Sequence, residues 1–149
     1  MKKRIHNDEA FYDIAWSPFY KYEKYSAGKI LPELAGIVSL HQAERNSYSD
    51  LIYYGCWRDG CRIGLKKFID YETSKYKHII GNFDMNNLYY RYTVVDTSPQ
   101  DLKDILFWLI ASYDAQYNNK RTFSDSRRYK NINVRESSMQ QGDVIEKLK

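Results

Sequence analysis

Tyrosine is the residue type that most strongly suggests a chemistry for this chain, with 15 copies among 149 residues. Tyrosine rings that stand among Lys and Arg can stack on unpaired bases while the cations hold phosphates. Tyr, Lys, Asn and Ile also rise together under nucleotide-composition bias, so both interpretations stay open. Tyrosine content alone therefore does not identify a nucleic-acid binder.

Cationic residues are concentrated near the C-terminal end of the chain. Residues 119–149 contain eight Lys and Arg against four Asp and Glu, and this surplus accounts for the whole net charge of +4. Arg127, Arg128 and Lys130 form a basic cluster within this segment. A cluster of this kind can follow a phosphate backbone, although many are simply solvated. These three residues are candidate nucleic-acid contacts.

The cysteines and histidines do not predict a metal site. Cys56 and Cys61 lie around a predicted turn, without the second Cys pair or nearby His that a four-ligand zinc site needs. Their spacing leaves a disulfide open, but two free thiols are favoured in a reducing compartment. His6, His41 and His78 are scattered, and we interpret them as surface or half-buried side chains.

The composition is that of one globular domain. A chain of 149 residues with 43% hydrophobic and 28% charged residues can bury its own core. No apolar run approaches the roughly 20 residues needed to cross a bilayer. The basic residues 2–4 lead into a polar segment instead of an apolar signal core. We therefore expect a cytoplasmic protein with no membrane partner.

Periodicity predicts the elements that must position the candidate residues. Residues 34–41 and 51–57 are rich in β-formers, and we predict that they form the two strands of a hairpin. Residues 88–96 alternate between two faces, which is typical of a half-buried strand. Residues 62–71 have apolar positions at helical spacing, and they follow an Asp-Gly pair at 59–60 that favours a turn with positive φ.

A long helix is predicted over residues 99–117. Ser98 is a suitable N-cap, Pro99 occupies the first helical position, and Asp101 places a negative charge at the positive end of the helix. The helix carries a wide apolar stripe, which must be covered on more than one face by the rest of the chain or by a partner. The stripe consists of Leu102, Leu106, Leu109, Ile110, Tyr113 and Tyr117.

The N-terminal residues are less regular. Phe11, Ile14 and Ala15 recur near helical spacing, which indicates short helical turns over residues 8–16 and 19–25. We have no stronger signal for an element in this part of the chain.

The predicted elements divide the chain into three parts. Residues 1–31 form an N-terminal extension, residues 32–118 an α/β core, and residues 119–149 a basic, partly ordered tail. The tail is polar and without periodicity, except for one helical turn predicted at residues 144–148. We expect an α+β fold in which a small three-stranded sheet is flanked by helices.

The core resembles the GIY-YIG nuclease domain in the order of its elements, which is strand, strand, helix, strand, helix. Gly36-Ile37-Val38 stands where that family has its Gly-Ile-Tyr triplet, and Tyr53-Tyr54-Gly55 stands where it has Tyr-Ile-Gly. Arg62 lies near the expected place of the family arginine, and Asn118 resembles a late asparagine of the family. The resemblance implies the family's ββαβα core over residues 32–118.

The resemblance also implies catalytic roles. Tyr53 would position water, Arg62 would neutralise charge on the phosphate, and a carboxylate on the later helix would hold a divalent metal. Two positions depart from the family pattern, because Val38 replaces the first tyrosine and Leu106 stands where the metal-binding glutamate is expected. Asp104 is a nearby carboxylate, predicted on another face of the helix. The domain is therefore expected to be degenerate at its catalytic positions.

Three functional hypotheses follow, and they leave open whether the protein is an enzyme. The first is a nucleic-acid-associated protein with little or no cleavage activity, which holds phosphate with Arg58, Arg62 and the basic cluster. The second is a noncatalytic module whose wide apolar helix docks a protein partner or a second copy of the chain. The third is an active endonuclease in which Asp104 replaces the usual glutamate and binds Mg²⁺ or Mn²⁺.

Overall fold

A computed structural model describes residues 1–139 as two sheets with four α-helices. The elements in chain order are β1 (Lys2–His6), β2 (Glu9–Trp16), β3 (Tyr20–Lys21), α1 (Lys24–Ile30), β4 (Gly36–Ala43), β5 (Tyr48–Cys56), α2 (Gly60–Ile69), α3 (Lys77–Ile80), β6 (Leu88–Val94), α4 (Pro99–Ser112) and β7 (Asn131–Ser138). Two short 3-10 helices lie at Met85–Asn87 and Lys120–Thr122. None of these helices is long and apolar enough to cross a membrane.

The four-stranded sheet contains the three strands that the sequence predicts. Its order is β3-β6-β4-β5, and all its neighbours are antiparallel. The central strand β4 pairs with both β5 and β6, so Ser39 lies opposite Tyr53 on one side and Arg91 on the other. The α+β class is confirmed. The sheet has four strands instead of three, because the two-residue strand β3 pairs with the outer edge of β6.

A three-stranded sheet, in the order β1-β2-β7, corrects two expectations about the ends of the chain. Residues 8–16, predicted as helical turns, contain strand β2, in which Ala10, Tyr12, Ile14 and Trp16 are buried in strict alternation. Strand β7 lies in the tail that was predicted to lack periodicity, and it pairs in parallel with β2. The helical turn predicted at residues 144–148 lies outside the described residues.

Helix α4 begins as predicted and ends earlier. The Ser98 hydroxyl oxygen accepts a hydrogen bond from the Asp101 backbone N–H at 3.0 Å, which caps the helix. The last helical residue is Ser112 instead of residue 117. The chain leaves the helix because Gln116 N–H and Tyr117 N–H donate to the Asp50 and Leu51 carbonyls of β5. These bonds extend the sheet edge at the expense of the last predicted helical turn.

Helices α2 and α4 cover opposite faces of the four-stranded sheet. Leu65 and Phe68 of α2 pack into a core with Val38, whereas α4 packs with Tyr53 into a separate core that also receives β2. Gly55 permits the close approach of α4, because a Cβ at this position would lie 2.8 Å from Leu102 Cδ2. Residues on the two faces of the sheet therefore pack against different helices. A site on one face can use only the residues of that face.

Candidate nucleic-acid interface

Tyr53 and Arg62, the two residues that the resemblance assigns to catalysis, lie on opposite sides of the four-stranded sheet. Tyr53 is buried on the α4 side, where its ring stacks on Tyr113 and meets Trp16 edge to face. Burial, followed by the nearby Asp50 carboxylate, raises the pKa of the Tyr53 hydroxyl above its ordinary value. A hydroxyl of this kind stays protonated and does not reach the surface on which Arg62 lies.

Asn118 explains how Tyr53 is held. Its side-chain oxygen accepts from the Tyr53 backbone N–H at 2.8 Å, and its side-chain nitrogen donates to the Tyr53 carbonyl at 3.1 Å. The amide therefore satisfies both backbone groups of one residue on the free edge of β5. Asn118 acts as a structural clamp for the strand that carries the second triplet.

Asp104, the predicted metal ligand, is surrounded by hydrogen-bond donors. Its side chain is fully buried, and one carboxylate oxygen accepts from Ser126 N–H at 2.6 Å. The other oxygen accepts from the Ser126 hydroxyl at 2.9 Å and from Arg128 Nη2 at 3.0 Å. Mg²⁺ is usually bound by one or two carboxylates together with several waters, so the carboxylate oxygens must be open to solvent. Residues 1–139 also hold no group of three or more His, Cys, Asp or Glu that could bind a metal ion. The donors that engage both oxygens of Asp104 do not fit Mg²⁺ or Mn²⁺, and the role of Asp104 as a metal ligand stays a prediction.

Arg128 belongs to the same ion-pair network instead of standing free in a basic cluster. Its Nη2 atom donates to Asp101 at 2.9 Å as well as to Asp104, and Lys3 contacts Asp101 at 2.8 Å. Burial opposes ionisation of Asp101, but the hydrogen bonds led by that from Lys3 hold its pKa well below its usual range. Arg127 and Lys130 remain exposed on the same segment.

Arg62 lies in a groove between α1 and α2, which we call the α1–α2 groove. This concave surface has a volume of about 610 Å³, within the range of about 300–1,000 Å³ that is typical of ligand sites. It combines cations and tyrosine rings with an apolar floor. Its lining includes Tyr22, Lys24, Tyr25, Leu31, Arg62, Ile63, Leu65, Lys66, Ile69, Asp70 and Tyr71.

Gly60 places Arg62 in this groove. Its φ of +80° starts α2 in a conformation that favours glycine, and a Cβ there would collide with the Glu33 carbonyl. The close approach lets Cys61 N–H and Arg62 N–H donate to the Leu34 and Pro32 carbonyls, each at 3.0 Å. The first turn of α2 is thereby fastened to the segment that follows α1. The predicted Asp-Gly turn is thus the local feature that sets where α2, and with it Arg62, begins against this segment.

The cations of the groove are available to a ligand. Arg62 Nε donates to the Leu31 carbonyl at 2.9 Å and Nη1 to Glu33 at 3.1 Å, so the side chain is oriented while its exposed part faces solvent. Lys24 and Lys66 form no ion pair within residues 1–139. Because Glu33 is 80% exposed, its pair with Arg62 is weak, and a phosphate can replace this carboxylate on the oriented guanidinium. Arg58, also predicted as a phosphate contact, is exposed in the turn before α2.

A buried hydrogen-bonded chain on the α4 side was missed by the sequence analysis. His41 is only 1% exposed, which corrects its interpretation as a surface or half-buried residue. Its Nδ1 lies 2.8 Å from Asp50 Oδ1 and its Nε2 lies 2.7 Å from the hydroxyl of the fully buried Ser39. Because a carboxylate only accepts hydrogen bonds, the neutral ring donates from Nδ1 to Asp50. Its Nε2 accepts a hydrogen bond from the Ser39 hydroxyl. Phe19 packs edge to face on the ring and stacks on Tyr48.

The hydrogen-bonded residues Ser39, His41 and Asp50 have the order of a nucleophile, a base and an orienting acid, but they lie in the sheet interior. Ser39 and His41 are covered by the aromatic residues above them, so no substrate reaches the hydroxyl in this conformation. These hydrogen bonds link the two strands of the β4–β5 hairpin beside a register shift at residues 40–41. The signal in the sequence was the hairpin pairing itself, which places residue 50 opposite residue 41.

The chain belongs to the family described as "Uncharacterised protein", whose model matches residues 1–147. No curated protein and no solved structure matches the chain. An assignment of function therefore depends on the geometry of the α1–α2 groove and of the residues around it.

Proposed function

For this member of the family we propose that the protein binds nucleic acid in the α1–α2 groove, through phosphate contacts and with little or no cleavage. The observation that carries the proposal is the presence of three cations beside tyrosine rings on one concave surface. Phosphate contacts supply most of the affinity in sequence-independent binding. Aromatic side chains next to those cations add stacking.

Arg62 is the central contact in this proposal. Its hydrogen bonds to Leu31 and Glu33 set the direction of the guanidinium, which reduces the conformational entropy lost when a phosphate binds. Lys66 lies one helical turn further along α2, on the same face. Lys24 approaches from α1, and Asp70 is the one carboxylate among the lining residues that the structure describes. The charge of the groove is therefore suited to an anionic polymer.

The positions of the other catalytic candidates support binding without cleavage. Val38 is buried and has no ionisable group, and the Tyr53 hydroxyl lies on the other side of the sheet. Asp104 is engaged by Ser126 and Arg128. None of these residues supplies a nucleophile or a general base near Arg62.

An origin from a GIY-YIG-like fold is part of the same proposal. The succession β4, β5, α2, β6, α4 follows the order expected of that family, and Asn118 holds the strand that carries the second triplet. A degenerate nuclease domain would retain its phosphate contact after losing its catalytic groups. The exposed Arg58, Arg127 and Lys130 are secondary candidates for contacts outside the groove.

Docking of a protein partner is the second candidate function for the same groove. Ile63 is 46% exposed and stands among the apolar residues of the lining, and such a surface also suits a protein ligand. The two functions differ in their response to salt. Phosphate contacts release counterions and give a steep salt dependence, whereas apolar docking does not.

A salt titration of nucleic-acid binding tests the proposal. Binding of labelled DNA and RNA oligonucleotides to the wild type, Arg62→Ala and Lys66→Ala would be measured by fluorescence anisotropy. We expect each variant to weaken binding to all sequences alike and to lower the salt slope by about one. Arg45→Ala is the matched control, because Arg45 is an exposed cation in the β4–β5 loop. Equal losses in the control and in Arg62→Ala would contradict the proposed site.

Cleavage is tested in parallel on plasmid, branched DNA and RNA with Mg²⁺ or Mn²⁺. We expect little or no cleavage, in the wild type or in any variant. Metal-dependent cleavage that disappears in both Arg62→Ala and Tyr53→Phe would instead identify an active nuclease. Tyr53→Phe is suitable because it removes the hydroxyl and keeps the buried ring.

A further inference from the structure

We infer that the α1–α2 groove accepts unpaired bases, so that its ligand is single-stranded nucleic acid; this inference rests on the proposed function. The observation behind it is the state of two tyrosine rings. Tyr25 on α1 is 83% exposed and Tyr71, just after α2, is 60% exposed. Both belong to the lining that contains Arg62 and Lys66.

The two rings differ from other tyrosines of the chain. Tyr48, also partly exposed, stacks on Phe19 with ring centroids 4.4 Å apart. Tyr25 and Tyr71 make no ring or cation contact within residues 1–139. Because 83% of Tyr25 and 60% of Tyr71 are exposed, each ring can offer a face to a planar ligand. Two such rings, one from each wall of a groove, form a surface for aromatic groups.

The position of the cations selects among aromatic ligands. Arg62 and Lys66 lie one turn apart on the same face of α2, so they can hold neighbouring phosphates of one strand. Lys24 precedes Tyr25 on the opposite wall. A ligand that fits both features must combine planar rings with a repeating negative charge. A nucleic-acid strand has this combination.

The state of the bases decides between a single strand and a duplex. In a double helix each base is stacked and paired, and only its edges are accessible in the grooves. In a single strand the faces can unstack and lie on aromatic side chains. A helix of ten residues is about 15 Å long, so the α2 wall offers room for a few nucleotides. A duplex could touch the rim of this groove with its phosphates but could not use the tyrosine rings.

Competition between single-stranded and double-stranded probes tests the inference. The probes would be labelled oligo(dT), oligo(dA) and a hairpin duplex of the same number of phosphates. We expect the wild type to bind the single strands at least about tenfold more tightly than the duplex. Tyr25→Ala and Tyr71→Ala should each weaken single-strand binding about tenfold and leave duplex binding unchanged, since each removes one stacked base. Tyr25→Phe and Tyr71→Phe keep the ring and should retain the affinity.

Phe123→Ala provides the control, because Phe123 is an exposed aromatic residue outside the groove. Thermal unfolding of every variant verifies that it is folded. We expect no loss of stability, because these exposed rings do not stabilise the fold. If the duplex binds as tightly as the single strands, or if the alanine variants bind single strands like the wild type, the inference is wrong and phosphate binding by Arg62 stands. If neither probe binds, the proposed function is wrong and the inference falls with it.

Discussion

Charged residues have opposite roles on the two sides of the four-stranded sheet. On the α4 side, Lys3 and Arg128 are paired with Asp101 and Asp104, and the carboxylates are buried. On the α2 side, the cations of the α1–α2 groove face solvent, and the side-chain partners of Arg62 within residues 1–139 are an exposed glutamate and a backbone carbonyl. One region uses charge to fasten segments of the chain together, and the other leaves charge available to a ligand.

The difference shows that a basic cluster in a sequence does not identify a binding surface. A buried carboxylate needs a partner, since an unpaired charge in the interior costs several kcal/mol. Arg128 supplies that partner, so it stabilises the fold. Arg62 pairs with the exposed Glu33 instead of with a buried carboxylate. The following predictions test this contrast, beginning with the largest expected effect.

Asp104→Ala is expected to destabilise the protein by about 3–5 kcal/mol, the usual cost of breaking a buried pair. The variant removes the acceptor of the Ser126 N–H and hydroxyl, and it leaves Arg128 with Asp101 as its remaining carboxylate partner. The free energy of unfolding would be measured by urea denaturation. Asp114→Ala is the control, because Asp114 also contacts a lysine, Lys120, but is 91% exposed. We expect no measurable change in this control, and equal losses would show that the α4-side network is not buried in solution.

Leu106→Ala is expected to cost about 2–5 kcal/mol, because it truncates a buried leucine that packs against the sheet at Gly55. Ile63→Ala, on the α2 side, should cost less than about 1 kcal/mol because nearly half of Ile63 already contacts water. Urea unfolding of both variants measures the difference. A loss below about 0.5 kcal/mol for Leu106→Ala would mean that α4 does not bury this side chain.

Acidification from pH 7 to pH 5 should cause the smallest loss of stability. Burial, partly opposed by the hydrogen bond to Asp50, lowers the pKa of His41 below its ordinary value of 6.5, and Arg91 acts in the same direction as burial. The unfolded chain therefore takes up this proton first, so stability is complete above pH 6.5 and is lost as the pH falls through the lowered pKa. The pKa values of Asp50 and Asp101 are also lowered, but from 3.8, so they contribute at lower pH.

His41→Gln separates this effect from the rest of the protein. The free energy of unfolding of the variant should depend less on pH between 7 and 5 than that of the wild type. His78→Gln, which changes an exposed histidine, should keep the wild-type dependence. An unchanged dependence in His41→Gln would show that His41 is accessible to protons in the folded state.

Much of the central fold could be predicted because its signals lie within a few residues. The Ser98 cap, the turn at Gly60 and the three strands of the four-stranded sheet all follow from local patterns. Capping, positive φ and alternation depend on neighbouring residues, so they can be interpreted without knowledge of the rest of the chain. The same local reasoning placed Arg62 at the start of α2.

Only the tertiary structure decided which of these residues meet. The parallel pairing of β2 with β7 joins residues more than one hundred positions apart, so the apparent helical spacing of Phe11 and Ile14 was misleading. Tyr53 and Arg62 were separated because a strand residue belongs to one face of its sheet, and that face is set by which helix covers it. Arg128 is paired with two carboxylates of a helix that is distant in the sequence. Long-range pairing of charge and of strands depends on how the chain closes on itself, which local composition does not record.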